Sequence, residues 1–218
     1  MTQPALIIDS HTALLVVDVQ NDFLPQGALA VTRGDEVIAV INRMAANFKH
    51  VIITQDWHPA GHLSFASSHP NHKPFQQVQL PYGPQCLWPD HCIQGSKGAE
   101  LAESLNIPHA RLILRKGIHP EIDSYSAFLE ADRSTSTGLL AWLQAQHINQ
   151  VVIAGLATDF CVAWTAIDAA NAGLKTWVVE EGCRAIDIDG SLAQAKVAMR
   201  DAGVTLITSL TMHHDSES

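Results

Sequence analysis

The sequence predicts an α/β fold, a three-layer α/β/α sandwich built on a six-stranded, mainly parallel sheet. Three observations carry that expectation. Six short and nearly continuous apolar runs, rich in Val, Ile and Leu, recur along the chain. Segments of helical periodicity alternate with them, as crossovers between parallel strands require. The 218 residues, 47% hydrophobic and 16% charged, can bury one sizeable core, and no linker or internal repeat divides them.

Residues 14–18, Leu-Leu-Val-Val-Asp, read as the first buried strand. Val37, Ile38, Val40, Ile41, Met44, Ala45 and Phe48 then follow the spacing of a helix's buried face, behind Gly34-Asp35 as a start signal. Residues 51–54 form a second strand, residues 111–114 a third, and a helix follows around residues 138–146. The fourth strand is residues 151–154, and the next helix runs from about residue 160 to 172, where Gly173 ends it. Residues 176–179 and 204–207 flank a last helix over 192–202, terminated by Gly203. One domain covers residues 1–212, and residues 213–218, His-His-Asp-Ser-Glu-Ser, make a polar tail.

The segment from residue 56 to 98 breaks this rhythm. It carries Pro59, Pro70, Pro74, Pro81, Pro84 and Pro89, six of the ten prolines, and His58, His62, His69, His72 and His91, five of the twelve histidines. A connection this long inside a compact domain is either disordered or functional. Trp57 and Trp88 favour an ordered, functional loop.

Composition removes several function classes. Lys+Arg 13 against Asp+Glu 22 gives a net charge of −9, which does not track a phosphate backbone, so nucleic acid is not the expected partner. No apolar stretch approaches the ~20 residues of a spanning helix, and the first basic residue is Arg33, so neither a membrane nor a secretory signal is expected. Cys86, Cys92, Cys161 and Cys183 are too few for a disulfide scaffold and point to free thiols in a cytoplasmic protein. Self-association into a homo-oligomer stays open.

Ligands of open α/β sheets bind beyond the carboxyl ends of the strands. Asp18 closes the first strand, Asp56-Trp57-His58 the second, Lys116-Gly117 the third, and Gly155-Leu156-Ala157-Thr158-Asp159-Phe160-Cys161 the fourth. Cys161 falls in the first turn of an expected helix behind Thr158 and Asp159, two cap-type residues, where helix dipole and free N–H groups favour a thiolate and could hold an oxyanion. Equally, it could be a small hydrophobe on a packed face. Asp18 is either a desolvated base for that thiol or a cap on the turn at residues 20–22. Lys116 either steadies the charges of both or is a solvated strand-end lysine.

Asp56 and His58, two apart on an extended segment, share one side of it, and His91 can close a metal site from the far end of the loop. A carboxylate with two imidazoles suits Zn²⁺, Fe²⁺ or Mn²⁺, with Zn²⁺ first, and His62 is a possible fourth ligand. A knuckle of Cys86, Cys92 and His91 is the competing arrangement. Neither a G-x-G-x-x-G turn nor a P-loop lysine is present.

Val17-Asp18-Val19-Gln20-Asn21-Asp22-Phe23, Asp56-Trp57-His58-Pro59, Trp88-Pro89-Asp90-His91-Cys92, Arg115-Lys116-Gly117 and the run from Gly155 to Val162 occur in one order. This set resembles the isochorismatase-like cysteine hydrolases, specifically their nicotinamidase (pyrazinamidase) branch, over residues 14 to about 210. The resemblance implies the fold of that family and an Asp18–Lys116–Cys161 triad. It also implies a cis peptide at Leu156-Ala157 and an oxyanion hole from the N–H groups of Ala157 and Cys161. The implied metal ligands are Asp56, His58 and His91. The implied pyridine slot is formed by Phe23 and Trp88, with Tyr125 and Leu156 beside it. The implied reaction is hydrolysis of nicotinamide to nicotinate and ammonia through a Cys thioester, in NAD salvage, with pyrazinamide deamidated too. The alternative is a related cysteine amidohydrolase for another small amide or a ureido compound.

Overall fold

A computed structural model describes residues 6–210. The polar tail anticipated at residues 213–218 lies outside the described residues. All six expected strands form: β1 (Thr12–Val17), β2 (His50–Asp56), β5 (Leu112–Lys116), β6 (Gln150–Leu156), β7 (Lys175–Arg184) and β8 (Thr205–Ile207). They make one sheet in the order β5-β2-β1-β6-β7-β8, and every pairing in it is parallel. Each residue of β1, β2 and β6 is buried, which explains why the middles of these strands read as continuous apolar runs rather than alternating ones.

The helices α1 (Glu36–Ala45), α2 (Leu139–Ala145), α3 (Ala163–Asn171) and α4 (Ser191–Asp201) fall where the periodicity put them. Val37, Ile38, Ile41, Met44 and Ala45 are the buried stripe of α1, which packs on β6 and β7. Asp35 precedes α1 but makes no side-chain cap. Gly173 and Gly203 take φ of +86° and +87° just past α3 and α4, the left-handed conformation that stops a helix.

The long segment is ordered, and it contains a hairpin that the sequence did not announce. The hairpin pairs β3 (Gln77–Leu80) with β4 (Gly83–Cys86) in antiparallel register. Both strands are short, polar and half-exposed, so they carry no apolar alternation to read. Backbone bonds lace the two ends of the segment together. His58 N donates to Cys92 O (3.0 Å), Gln94 N to His58 O (2.8 Å), and Trp88 N to Ser64 O (2.9 Å). That lacing brings His91 to His58 across more than thirty positions of sequence.

Chain order runs outward from β1 through β2 to β5, then returns to β6 on the other flank of β1. The reversal leaves a crevice at the carboxyl ends of β1 and β6, where an open α/β sheet binds its ligand.

Candidate active site

Asp18 follows β1 and Cys161 follows β6, one on each side of that crevice, while Asp56 and Lys116 end β2 and β5. The backbones of β1 and β6 approach closely here. A Cβ on Gly155, whose φ is +133°, would lie 2.1 Å from Val17 O, so no side chain fits at that point. The Leu156–Ala157 peptide is cis, as the resemblance implies, and Cys161 sits in a single π-type turn, Thr158–Val162, leading into α3.

Lys116 is the hub of the site and only 1% exposed, which excludes a solvated strand-end lysine. Its Nζ contacts Asp18 Oδ2 and Asp56 Oδ1, both at 2.8 Å, donates to Ser124 O at 2.9 Å, and lies 3.4 Å from Cys161 Sγ. Burial alone would depress the ammonium, but the two carboxylates outweigh it and hold its pKa well above the ordinary value. Asp18 is fully buried; Thr54 Oγ1 donates to its Oδ1 at 2.6 Å. Its Oδ2 has the Lys116 ammonium and no further hydrogen-bond partner, so that oxygen is the one positioned to take a proton. Asp18 therefore does not cap the turn at residues 20–22.

Burial raises the Asp18 pKa and Asp56 adds to the rise, against Lys116. Burial likewise pushes the Cys161 thiol well above its usual value, opposed by Lys116 and reinforced by Asp18 and Asp56. The thiolate expected from a helix N-terminus is thus not the favoured resting form. Thr158 and Asp159 supply no side-chain cap. Asp159 instead accepts from the N–H groups of Ile186 and Asp187, at 3.1 and 2.7 Å, and from the hydroxyl of Ser191.

Ligand-type atoms of Asp56, His58 and His91 all lie within 4.8 Å of one another, and all three residues are buried. Asp56 Oδ2 faces His58 Nε2 at 3.2 Å and His91 Nε2 at 3.5 Å. Each imidazole is oriented from behind by a carbonyl: His58 Nδ1 meets Gly117 O at 3.0 Å and His91 Nδ1 meets Pro89 O at 2.8 Å. A proton on each Nδ1 leaves the two Nε2 lone pairs pointing at the Asp56 carboxylate, the donor set a divalent cation takes. Although burial would raise Asp56, Lys116 and His58 hold its pKa well below the carboxylate range, so it is ionised.

His62 stacks on His58 at 4.4 Å, but both its nitrogens are engaged, Nδ1 with Ser64 Oγ (2.7 Å) and Nε2 with the carbonyls of His119 (2.9 Å) and Ile122 (3.2 Å). It lies beside the Asp56–His58–His91 set, in a second buried group of ligand-type atoms with His58 and Asp123. Cys86 and Cys92 join no cluster of ligand-type side chains among the described residues, which removes the zinc-knuckle alternative.

A narrow slot of about 20 Å³ opens beside Cys161, below the usual range for small-molecule sites. Phe23, Trp88 and Tyr125 line it as expected, together with Ala157 and Cys161. Leu156 does not: it is wholly buried at the end of β6 and leaves the wall to its neighbour Ala157. Phe160, Leu29, Ile186 and Asp123 also line the slot, and sequence reasoning missed all four. Phe160 meets Trp88 edge to face at 4.8 Å. Its place one residue before Cys161 was the signal available for it.

Residues 12–210 match the isochorismatase domain family. The chain is 56% identical over 200 residues to the nicotinamidase of Acinetobacter baylyi, an alignment covering 92% of this chain and 94% of that one. It superposes on a nicotinamidase/pyrazinamidase structure from Acinetobacter baumanii with a TM-score of 0.90 at 53% identity, covering 94% and 97% of the two chains. A pyrazinamidase from Pyrococcus horikoshii in complex with zinc aligns with a TM-score of 0.73 at 30% identity, covering 90% and 98%.

Proposed function

This chain belongs to the isochorismatase family, and from that premise we propose that it hydrolyses nicotinamide to nicotinate and ammonia, and pyrazinamide likewise, as a step of NAD salvage. The observation that carries the reading is the Lys116 ammonium bridging Asp18 and Cys161 at the foot of an aromatic slot.

The pyridine ring lies between Phe23 and Trp88 with its carboxamide toward Cys161. As Sγ forms a bond to the carboxamide carbon, the thiol proton passes to Asp18 Oδ2, the oxygen that has Lys116 and no further partner. The raised pKa values of both groups support a neutral resting thiol that ionises only as it attacks. Lys116 keeps a positive charge beside the pair throughout. The N–H groups of Ala157 and Cys161 receive the oxyanion. When the tetrahedral adduct collapses, the C–N bond breaks and Asp18 returns its proton to the leaving nitrogen, giving ammonia and a nicotinoyl thioester. A water that loses its proton to Asp18 then attacks the thioester carbon. Nicotinate leaves, and the proton goes back to Cys161 sulfur.

Asp56, His58 and His91 would hold a divalent metal ion, for which zinc is proposed. Bound there, it would supply a Lewis acid to help hold the substrate ring. The four free, buried cysteines support a reducing, cytoplasmic location, and no helix among the described residues is long and apolar enough to cross a membrane. Ammonia release from nicotinamide by the purified protein tests the proposal. Release that disappears in Cys161→Ala while metal content is unchanged supports it, and undiminished release in that variant refutes the nucleophile.

A further inference from the structure

The β3–β4 hairpin plays no part in the chemistry above, yet it sends one polar side chain behind the wall of the slot, to Asp123 and Tyr125. Gln85 is 1% exposed, and the two hydrogens of its Nε2 are shared among Cys86 O (2.7 Å), Asp123 Oδ2 (2.7 Å) and Tyr125 Oη (2.9 Å). Its Oε1 accepts from Tyr82 Oη at 3.2 Å. Three acceptors around one nitrogen and one donor at the oxygen leave a single sensible orientation of the amide. Asp123, 2% exposed, is fixed at its other oxygen by the Ser124 N–H at 2.8 Å. The next residue's carbonyl, Ser124 O, is the one that receives the Lys116 ammonium. Residues 123–125 therefore tie the hairpin, the catalytic lysine and the slot together.

The proton count at Tyr125 gives this network a use. Its oxygen has Gln85 Nε2 and Trp88 Nε1 against it, both at 2.9 Å, and since neither nitrogen can accept, the hydroxyl proton points to neither. Among the described residues its own O–H meets no protein acceptor. Of the aromatic side chains lining the slot, Phe23 and Phe160 have no donor and Trp88 has spent its N–H on Tyr125. The Tyr125 hydroxyl is the one donor these aromatic rings have left.

We propose that Gln85 and Asp123 are positioning residues: they keep a non-accepting nitrogen against the Tyr125 oxygen and so direct its hydroxyl proton to an acceptor atom on the substrate. This inference rests on the nicotinamidase reading and names how the slot selects a polar aromatic amide over an apolar ring. Burial raises the Tyr125 pKa well above the ordinary phenol value, which keeps that proton in place at any working pH.

A double-mutant cycle on the metal-loaded protein tests the proposal, with nicotinamide kinetics and thermal melting measured for Gln85→Leu, Tyr125→Phe and the pair. Each single change is expected to raise KM about five- to ten-fold, the loss of one neutral hydrogen bond, with kcat within about three-fold. The double variant is expected to be no worse than Tyr125→Phe. Should Gln85→Leu fail to fold, Asp123→Asn, which preserves shape, replaces it in the same cycle. Losses that multiply in the double variant, or a folded Gln85 variant with wild-type KM, overturn the proposal. Wild-type protein that releases no ammonia from nicotinamide overturns the functional reading, and this inference with it.

Discussion

Replacing Lys116 by Met removes the one cation shared by two buried carboxylates and leaves a side chain of similar length. Asp18 and Asp56 are 0% and 4% exposed, and each loses a contact of 2.8 Å. Stripping one partner from a buried ion pair costs about 3–5 kcal/mol, because the remaining charge stays desolvated. At about 2–4 °C per kcal/mol for a domain of this size, the variant should melt about 6–20 °C below wild type. The size of the loss should depend on pH. Burial already raises the Asp18 pKa, and Lys116 opposes that rise, so its removal lifts Asp18 further. A group whose pKa is higher folded than unfolded contributes its stability while protonated, and loses it as the pH climbs through the folded value. The deficit should therefore be smallest in acid and grow as the pH rises above the ordinary carboxylate range. Adding Asp18→Asn should recover part of it at neutral pH. Calorimetry of the metal-free proteins from acid to neutral pH reads all of these. A Lys116→Met protein as stable as wild type across that range, or one that still turns over nicotinamide, would refute the charge-pairing argument.

Other consequences follow from the same geometry. Asp56→Ala should lose metal and raise KM for nicotinamide; a metal-free variant with unchanged KM, by elemental analysis and kinetics, would show that the cluster does not serve substrate. Gly117 has a φ of +66°, and a Cβ there would lie 2.5 Å from His58 Cε1 and 2.7 Å from Nδ1. Gly117→Ala should accordingly weaken metal binding by about 10–100-fold through the displaced imidazole; wild-type affinity in a chelator competition would contradict this. Burial pushes the thiols of Cys86 and Cys183 up to about 11 and about 12. Since the thiolate is the reactive form, roughly 0.1% of Cys86 is reactive at pH 8, and its alkylation rate should rise about ten-fold per pH unit below its pKa. Nicotinate should slow labelling of Cys161 and leave Cys86 unaffected. Peptide mapping that finds Cys86 labelling independent of pH would contradict the burial argument.

The parts of the fold that could be read in the sequence are those whose signal is local. Fully buried strands such as β1 and β6 are apolar at nearly every position, Thr12 and Gln150 at their starts excepted, so they stand out from the chain around them. The glycines after α3 and α4 mark stops because a left-handed residue is needed there. The hairpin β3–β4 could not be read, because half-exposed polar strands of four residues have no pattern to distinguish them from loop. The rim of the crevice was legible as a set of strand-end residues, and Asp18, Asp56, Lys116 and Cys161 do converge there. What joins them was not. Thr54 reaches Asp18 across 36 positions and Gln85 reaches Asp123 across 38, and such pairings exist only once the sheet is assembled. The environment of Cys161 was legible only in part. Position at the start of a helix is visible in sequence, whereas burial against two carboxylates is not, and here burial dominates.

The account stands on a covalent bond between Cys161 and the acyl group of the substrate. Acid-quenching the wild-type protein during turnover of nicotinamide, followed by peptide mass analysis, reads that bond directly. A nicotinoyl mass on the peptide carrying Cys161, absent from Cys161→Ala, is the predicted result. A Cys161→Ala protein that releases ammonia at the wild-type rate, with no acyl mass on any wild-type peptide, would contradict it.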